Sequence, residues 1–159
     1  MPVTHRRRDT PPPRTGADEK AVLRGFLDYL REAVAAKAEG VPEPRVRTPG
    51  VPSGTSLLGL VRHLTAVERF TFLGEAPAGW PGTFRPRPDE TAASILAGYR
   101  TACAEADAVI DACTDLTQPV RRGRAPSMRW ALVHLIEETG RHAGHADILR
   151  ELVDGTTGR

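Results

Sequence analysis

The sequence predicts an all-α fold, a four-helix bundle preceded by a disordered N-terminal arm. Three observations carry that expectation. Apolar residues recur at three- and four-residue steps in four separate stretches, the period of a helix with one buried face. The connections between these stretches are rich in Pro and Gly. No segment alternates apolar and polar residues for long, as a half-buried strand would. Helices of this kind cover one another's apolar stripes, either all antiparallel or with one crossover connection.

The elements follow in order. Residues 1–16, MPVTHRRRDTPPPRTG, carry Pro and Arg with no apolar period and read as a mobile arm. Residues 17–159 read as one bundle domain. The first helix is expected from about Ala17 to Ala38, with Leu23, Phe26, Leu27, Leu30, Val34 and Ala38 on its inner face. The second begins near Ser53 or Thr55, either of which can cap it, and keeps the period through Leu57, Leu60, Val61, Leu64, Val67 and Phe70. The long connection APAGWPGTFRPRPDE follows, and its Trp80 and Phe84 are expected to fold back onto the bundle. Asp89 is expected to cap the third helix, with Glu90 in its first turn, where the helix dipole favours an acid. Ser127 caps the fourth, which runs to about Val153 and stops at Gly155.

Composition narrows the function. Of the 159 residues, 40% are hydrophobic and 26% charged, and the net charge is +2, which is ordinary for one compact domain. Acids and bases are interleaved, and the HRRR run lies in the arm, so nucleic-acid binding gains no support. No apolar run approaches the roughly 20 residues of a membrane-spanning helix, and no signal-peptide pattern opens the chain. The expectation is a cytoplasmic protein without membrane contact. Cys103 and Cys113 stand ten apart on one predicted helix, too far for a disulfide, and read as reduced core or boundary residues.

The last predicted helix, HLIEETGRHAGHADILRELVDG, is the unusual one. At about 100° per residue, His134, Glu138, His142 and His145 fall in an arc of about 80°, together with Leu149 and Leu152. Burying ionisable groups unpaired costs several kcal/mol, roughly, for each. Glu138 and His142 are one turn apart, so a carboxylate oxygen and an imidazole nitrogen can reach a common ion. His63 lies among Leu57, Leu60, Leu64 and Val67 on the second helix and is the candidate third ligand. A His, Glu, His set leaves a place for water or substrate, the pattern of an open metal site. Zn suits it best, with Ni, Fe(II) and Co as other borderline metals. There is no H-E-x-x-H motif and no pair of Glu-x-x-His motifs, so zincin and di-iron chemistry are disfavoured.

SLLGLVRHLTAVER, followed by MRWALVHLIEETGRHAGHADILRELVDG, resembles the DinB/YfiT-like superfamily, and within it the mini-circle, mycothiol-transferase-like branch. The resemblance spans about residues 18–158. It implies a four-helix bundle holding a divalent metal through His63, Glu138 and His142. Most DinB-like proteins carry His at the first of the two last-helix positions. Glu138 instead resembles the mycothiol-dependent maleylpyruvate isomerases. Those isomerases usually carry a further C-terminal domain, so the broader thiol-transferase class is the expectation here. The resemblance also implies mycothiol or a similar thiol as cosubstrate, a small electrophile as substrate, and a homodimer.

On this reading the metal lowers the pKa of the thiol, and the thiolate attacks the electrophile. Trp130, Trp80, Phe70 and Phe84 are candidates to line the pocket. His145 is the candidate catalytic residue, as a hydrogen-bond partner of the site, a general base or a fourth ligand. His134 is expected to be a satisfied histidine at the bundle end, and Asp147 an ion-pair partner of an Arg. The competing reading is a non-catalytic metal-binding or stress-responsive bundle, in which the ion only staples two helices together, and a third is an interaction module that dimerises through its helix faces.

Overall fold

The computed structural model describes residues 9–158. Four long helices form the body: α1 (Glu19–Ala38), α2 (Leu57–Glu68), α4 (Ala92–Ala112) and α5 (Met128–Asp154). A π-helical turn, Arg69–Leu73, continues α2, and a single helical turn, α3 (Trp80–Thr83), sits in the connection that follows. No strand occurs among the described residues. No described helix is long and apolar enough to cross a membrane.

Two core clusters show how the helices run. One holds Val34 and Ala38 of α1, Leu57 to Leu64 of α2, Ile95 and Tyr99 of α4, and Ala143 to Leu149 of α5. The other holds Leu27, Val67, Phe72, Ala106, Ile110 and Met128 to Leu135. Thus α1 and α5 both run from the second cluster to the first, while α2 and α4 run from the first to the second. Cross-links agree along the length of the parallel pair. Arg129 meets Glu19 at 2.6 Å near the start, and Lys37 meets Asp147 at 2.9 Å near the end. The bundle is therefore of the crossover kind. Because α2 and α4 are parallel, residues 74–91 must return along the flank of the bundle, and that path brings Trp80 to Phe84 beside the middle of α2.

The helix starts differ from expectation by a few residues. Asp18 caps α1, its carboxylate accepting from the Ala21 N–H at 2.8 Å. Ser56, and neither Ser53 nor Thr55, caps α2 by accepting from Gly59 N–H. Thr91 replaces Asp89 as the cap of α4. Its hydroxyl takes the Ser94 N–H while Ser94 takes the Thr91 N–H, so one pair satisfies two otherwise orphaned donors. Glu90 stays outside the helix, where it binds Arg62 at 2.8 Å and the Arg87 N–H at 2.7 Å. Ser127 caps α5 and Gly155, at φ 75°, ends it, as the sequence indicates.

Residues 1–8 of the expected arm lie outside the described residues. Of the remainder, the Thr10 carbonyl accepts from Tyr29 Oη at 2.7 Å. Asp147 is an ion-pair partner as expected, but of Lys37 and not of an arginine. Arg150 is spent elsewhere, donating to the carbonyls of Lys37 and Glu39 and so closing the C-terminal end of α1. Cys103 and Cys113 are both free thiols.

A buried ion pair braces α1 against α2. Arg31 donates two hydrogen bonds of 2.7 Å to the Glu68 carboxylate, and its third arm reaches Asp28 and Asp107. Burial alone would lower the Arg31 pKa, but the Glu68 carboxylate holds it above its ordinary value.

Candidate metal centre

α2 and α5 bring three donors together where the two core clusters meet. His63 is 5% exposed, between Leu60 and Leu64 of one cluster and Val67 of the other. Glu138 and His142 follow Leu135 of the second cluster and precede Ala146 of the first. One oxygen, Glu138 Oε1, lies 3.2 Å from His63 Nε2 and 3.2 Å from His142 Nε2. One ligand atom from each residue falls within 4.8 Å of the other two.

The connection fixes the protonation of His63. Thr83 Oγ1 donates its only hydrogen to the Trp80 carbonyl at 2.6 Å. Towards His63 Nδ1, 2.7 Å away, it can therefore only accept. His63 carries its proton on Nδ1 and turns the lone pair of Nε2 inward. Burial lowers the pKa of His63, and burial together with the facing His63 lowers that of His142, so both rings stay neutral at neutral pH. Partial burial alone would raise Glu138, but the two rings hold it below the usual carboxylate value. In that neutral tautomer the His63 Nε2 lone pair and Glu138 Oε1 face one point, where either a further proton on the ring or a divalent cation would be held. Two neutral nitrogens and one carboxylate suit zinc-class ions.

Aromatic rings wall the site. Phe84 lies flat on His63, with centroids 3.8 Å apart and planes at 11°. Trp80 meets the His63 ring edge-on at 6.0 Å, and Phe70 in turn meets Trp80 at 5.3 Å. A cavity of about 360 Å³ opens beside the donors, lined among others by His63, Glu138, Phe70, Trp80, Trp130 and Arg124. Three of the four expected pocket aromatics line it, and Phe84 packs against the His63 ring instead. The π-helical turn that carries Phe70 ends against the α4–α5 connection. A Cβ on Gly123 would stand 1.8 Å from the Thr71 carbonyl oxygen, so only glycine lets the two backbones touch and Arg124 reach over Phe70.

A family model described as Mycothiol-S-transferase matches residues 22–155. The chain belongs to the mycothiol-S-transferase family. The matched span takes in His63, Glu138, His142 and the whole crossover connection. No curated protein matches the chain.

The face of α5 in this mycothiol-S-transferase family member is narrower than the sequence suggests. Glu138 and His142 turn inward, whereas His145 is exposed and the His134 side chain is 35% exposed. Leu152, expected in the core, is 63% exposed. His145 Nδ1 instead lies 3.2 Å from His142 Nδ1, on the side away from Glu138. His134 stacks at a tilt on Trp130, 4.8 Å between centroids, and lines the cavity. Sequence reasoning missed Thr83 and Arg124. Thr83 lies between two aromatics in a long connection and Arg124 in a basic loop, and neither belongs to a periodic stretch.

Proposed function

We propose that the protein is a divalent-metal-dependent enzyme that transfers a low-molecular-weight thiol of the mycothiol type to a small electrophile. One observation carries the reading: His63, its tautomer set by Thr83, converges with Glu138 and His142 at the wall of an aromatic cavity. The family supports the thiol as cosubstrate. Zinc is the metal the donor set favours.

When bound, such an ion supplies Lewis acidity that favours thiolate over thiol at neutral pH. The chain does the rest. Two neutral imidazoles and one carboxylate leave a divalent site with one net positive charge, which suits an anionic sulfur. Phe84 and Trp80 keep water off two sides of His63, and the cavity holds the electrophile against the third. A sulfur–carbon bond forms, the bond from carbon to the leaving group breaks, and the leaving group departs with the electron pair. The thiol proton passes to solvent. Of the roles open to His145, its contact with His142 favours a positioning one. If His142 Nε2 held the ion, its Nδ1–H would be donated to His145 Nδ1, 3.2 Å away, and the ring would be fixed.

The test is thiol consumption by the zinc-loaded protein with mycothiol and a panel of activated alkyl and aryl halides. Turnover is expected in the parent and not in His63→Ala, with helical circular dichroism unchanged. A parent that binds zinc stoichiometrically yet shows no thiol-dependent turnover across the panel would favour the staple reading.

A further inference from the structure

The cavity beside the metal donors is aromatic and apolar on most sides, with one cation at its mouth. Arg124 stands over the Phe70 ring, 5.9 Å from the centroid to the guanidinium carbon. Nearby arginines are already committed. Arg62 holds Glu90 at 2.8 Å, Arg69 holds Glu75 and Glu105 at 2.6 and 2.7 Å, and Arg129 holds Glu19. No carboxylate among the described residues pairs with Arg124, although Glu138 lines the same cavity. Its position is built: the Gly123–Thr71 contact places it, and no side chain larger than hydrogen fits at residue 123 without moving backbone. Ring contacts then run without a break from Arg124 to Phe70, to Trp80, to His63.

We infer that Arg124 is the specificity residue for the electrophile and binds a carboxylate that the electrophile carries on a flat apolar body. The inference rests on the proposed thiol-transfer site and names its substrate class. A guanidinium over an aromatic ring keeps its charge close to an apolar wall while its donors remain free, and a carboxylate matches those donors in pairs. A flat body would lie among Phe70, Trp80 and Trp130, with its reactive carbon turned to Glu138 and His63. The volume sits near the lower end for small-molecule sites, which suits one substituted ring.

Calorimetric titration of the zinc-loaded protein with para-nitrobenzoate and para-nitrobenzamide tests this without needing turnover. The acid should bind about tenfold or more tightly than the amide. Arg124→Gln should erase the difference, and Arg124→Lys should keep part of it, since charge remains and the fork is lost. Arg122→Gln, whose side chain lines a different cavity, should leave it intact. Equal binding of acid and amide by the parent would overturn the inference. So would a preference that survives Arg124→Gln, because the carboxylate would then be held by the metal. Failure of thiol transfer with the acid preference intact would instead count against the proposed reaction alone.

Discussion

Gly59 and Phe84 share one space. A Cβ on Gly59 would stand 2.2 Å from the Phe84 carbonyl oxygen, so the crossover connection rests directly on the α2 backbone one turn before His63. That contact lays the Phe84 ring on the imidazole. Gly59→Ala must push the connection outward. The expected outcome is a loss of about 1–3 kcal/mol in urea stability and roughly tenfold weaker zinc binding in chelator competition. Unchanged zinc affinity would show that the stack does not position His63.

Thr83→Val removes the hydroxyl that accepts from His63 Nδ1 while keeping the side-chain shape. His63 is then free to place its proton on either nitrogen. Zinc affinity should fall by about 10- to 100-fold, whereas Thr83→Ser should stay close to the parent. Chelator competition on the three proteins measures this, and equal affinities would refute the tautomer assignment.

The same groups set the acid response of the metal-free protein. His63, His142 and Glu138 all have lowered pKa values in the fold. The unfolded chain therefore binds more protons as pH drops through its own histidine and then carboxylate ranges, and stability rises with pH across that window. Urea midpoints should fall on acidification from about pH 7.5 to about pH 5. The double variant His63→Gln, His142→Gln should show a shallower fall. An identical fall in that variant would assign the acid response to other groups.

Arg31 and Glu68 are expected to be worth most as an intact pair. Glu68→Ala leaves a guanidinium inside the bundle with only the partly exposed Asp28 and Asp107 as partners. The expected cost is about 3 kcal/mol or more, and Arg31→Met combined with Glu68→Leu should recover much of it. Urea unfolding of the two variants decides this, and a single variant as stable as the parent would contradict it.

The bundle was legible because its four long helices keep an apolar period and because their caps are chemically marked, although Ser56 and Thr91 replaced the nearest acid or hydroxyl as caps. The three converging donors were legible for a different reason: Glu138 and His142 are one turn apart, and His63 stands alone among leucines. The error on α5 is one of rotation. Its buried residues, among them Leu132, Leu135, Thr139, His142, Ala143 and Ala146, form a stripe rotated by roughly 80° from the arc read off the larger side chains. Small residues mark the close contact with α1 but add little to an apolar count. His134, His145 and Leu152 therefore fall at or beyond the edge of the buried face. Thr83, Phe84 and Arg124 reach the site only because α2 and α4 run parallel and force the chain back across His63. No local pattern announces that path.

Cobalt(II) substitution followed by thiol titration tests the central claim most directly. If His63, Glu138 and His142 hold an ion whose free position takes a thiolate, one equivalent of cobalt should bind. Adding mycothiol should then produce a sulfur-to-metal charge-transfer band, with release of a proton. The triple alanine variant should retain its helical circular dichroism and show neither stoichiometric cobalt nor the band. A parent spectrum that no thiol alters, or a triple variant that binds cobalt as the parent does, would contradict the account.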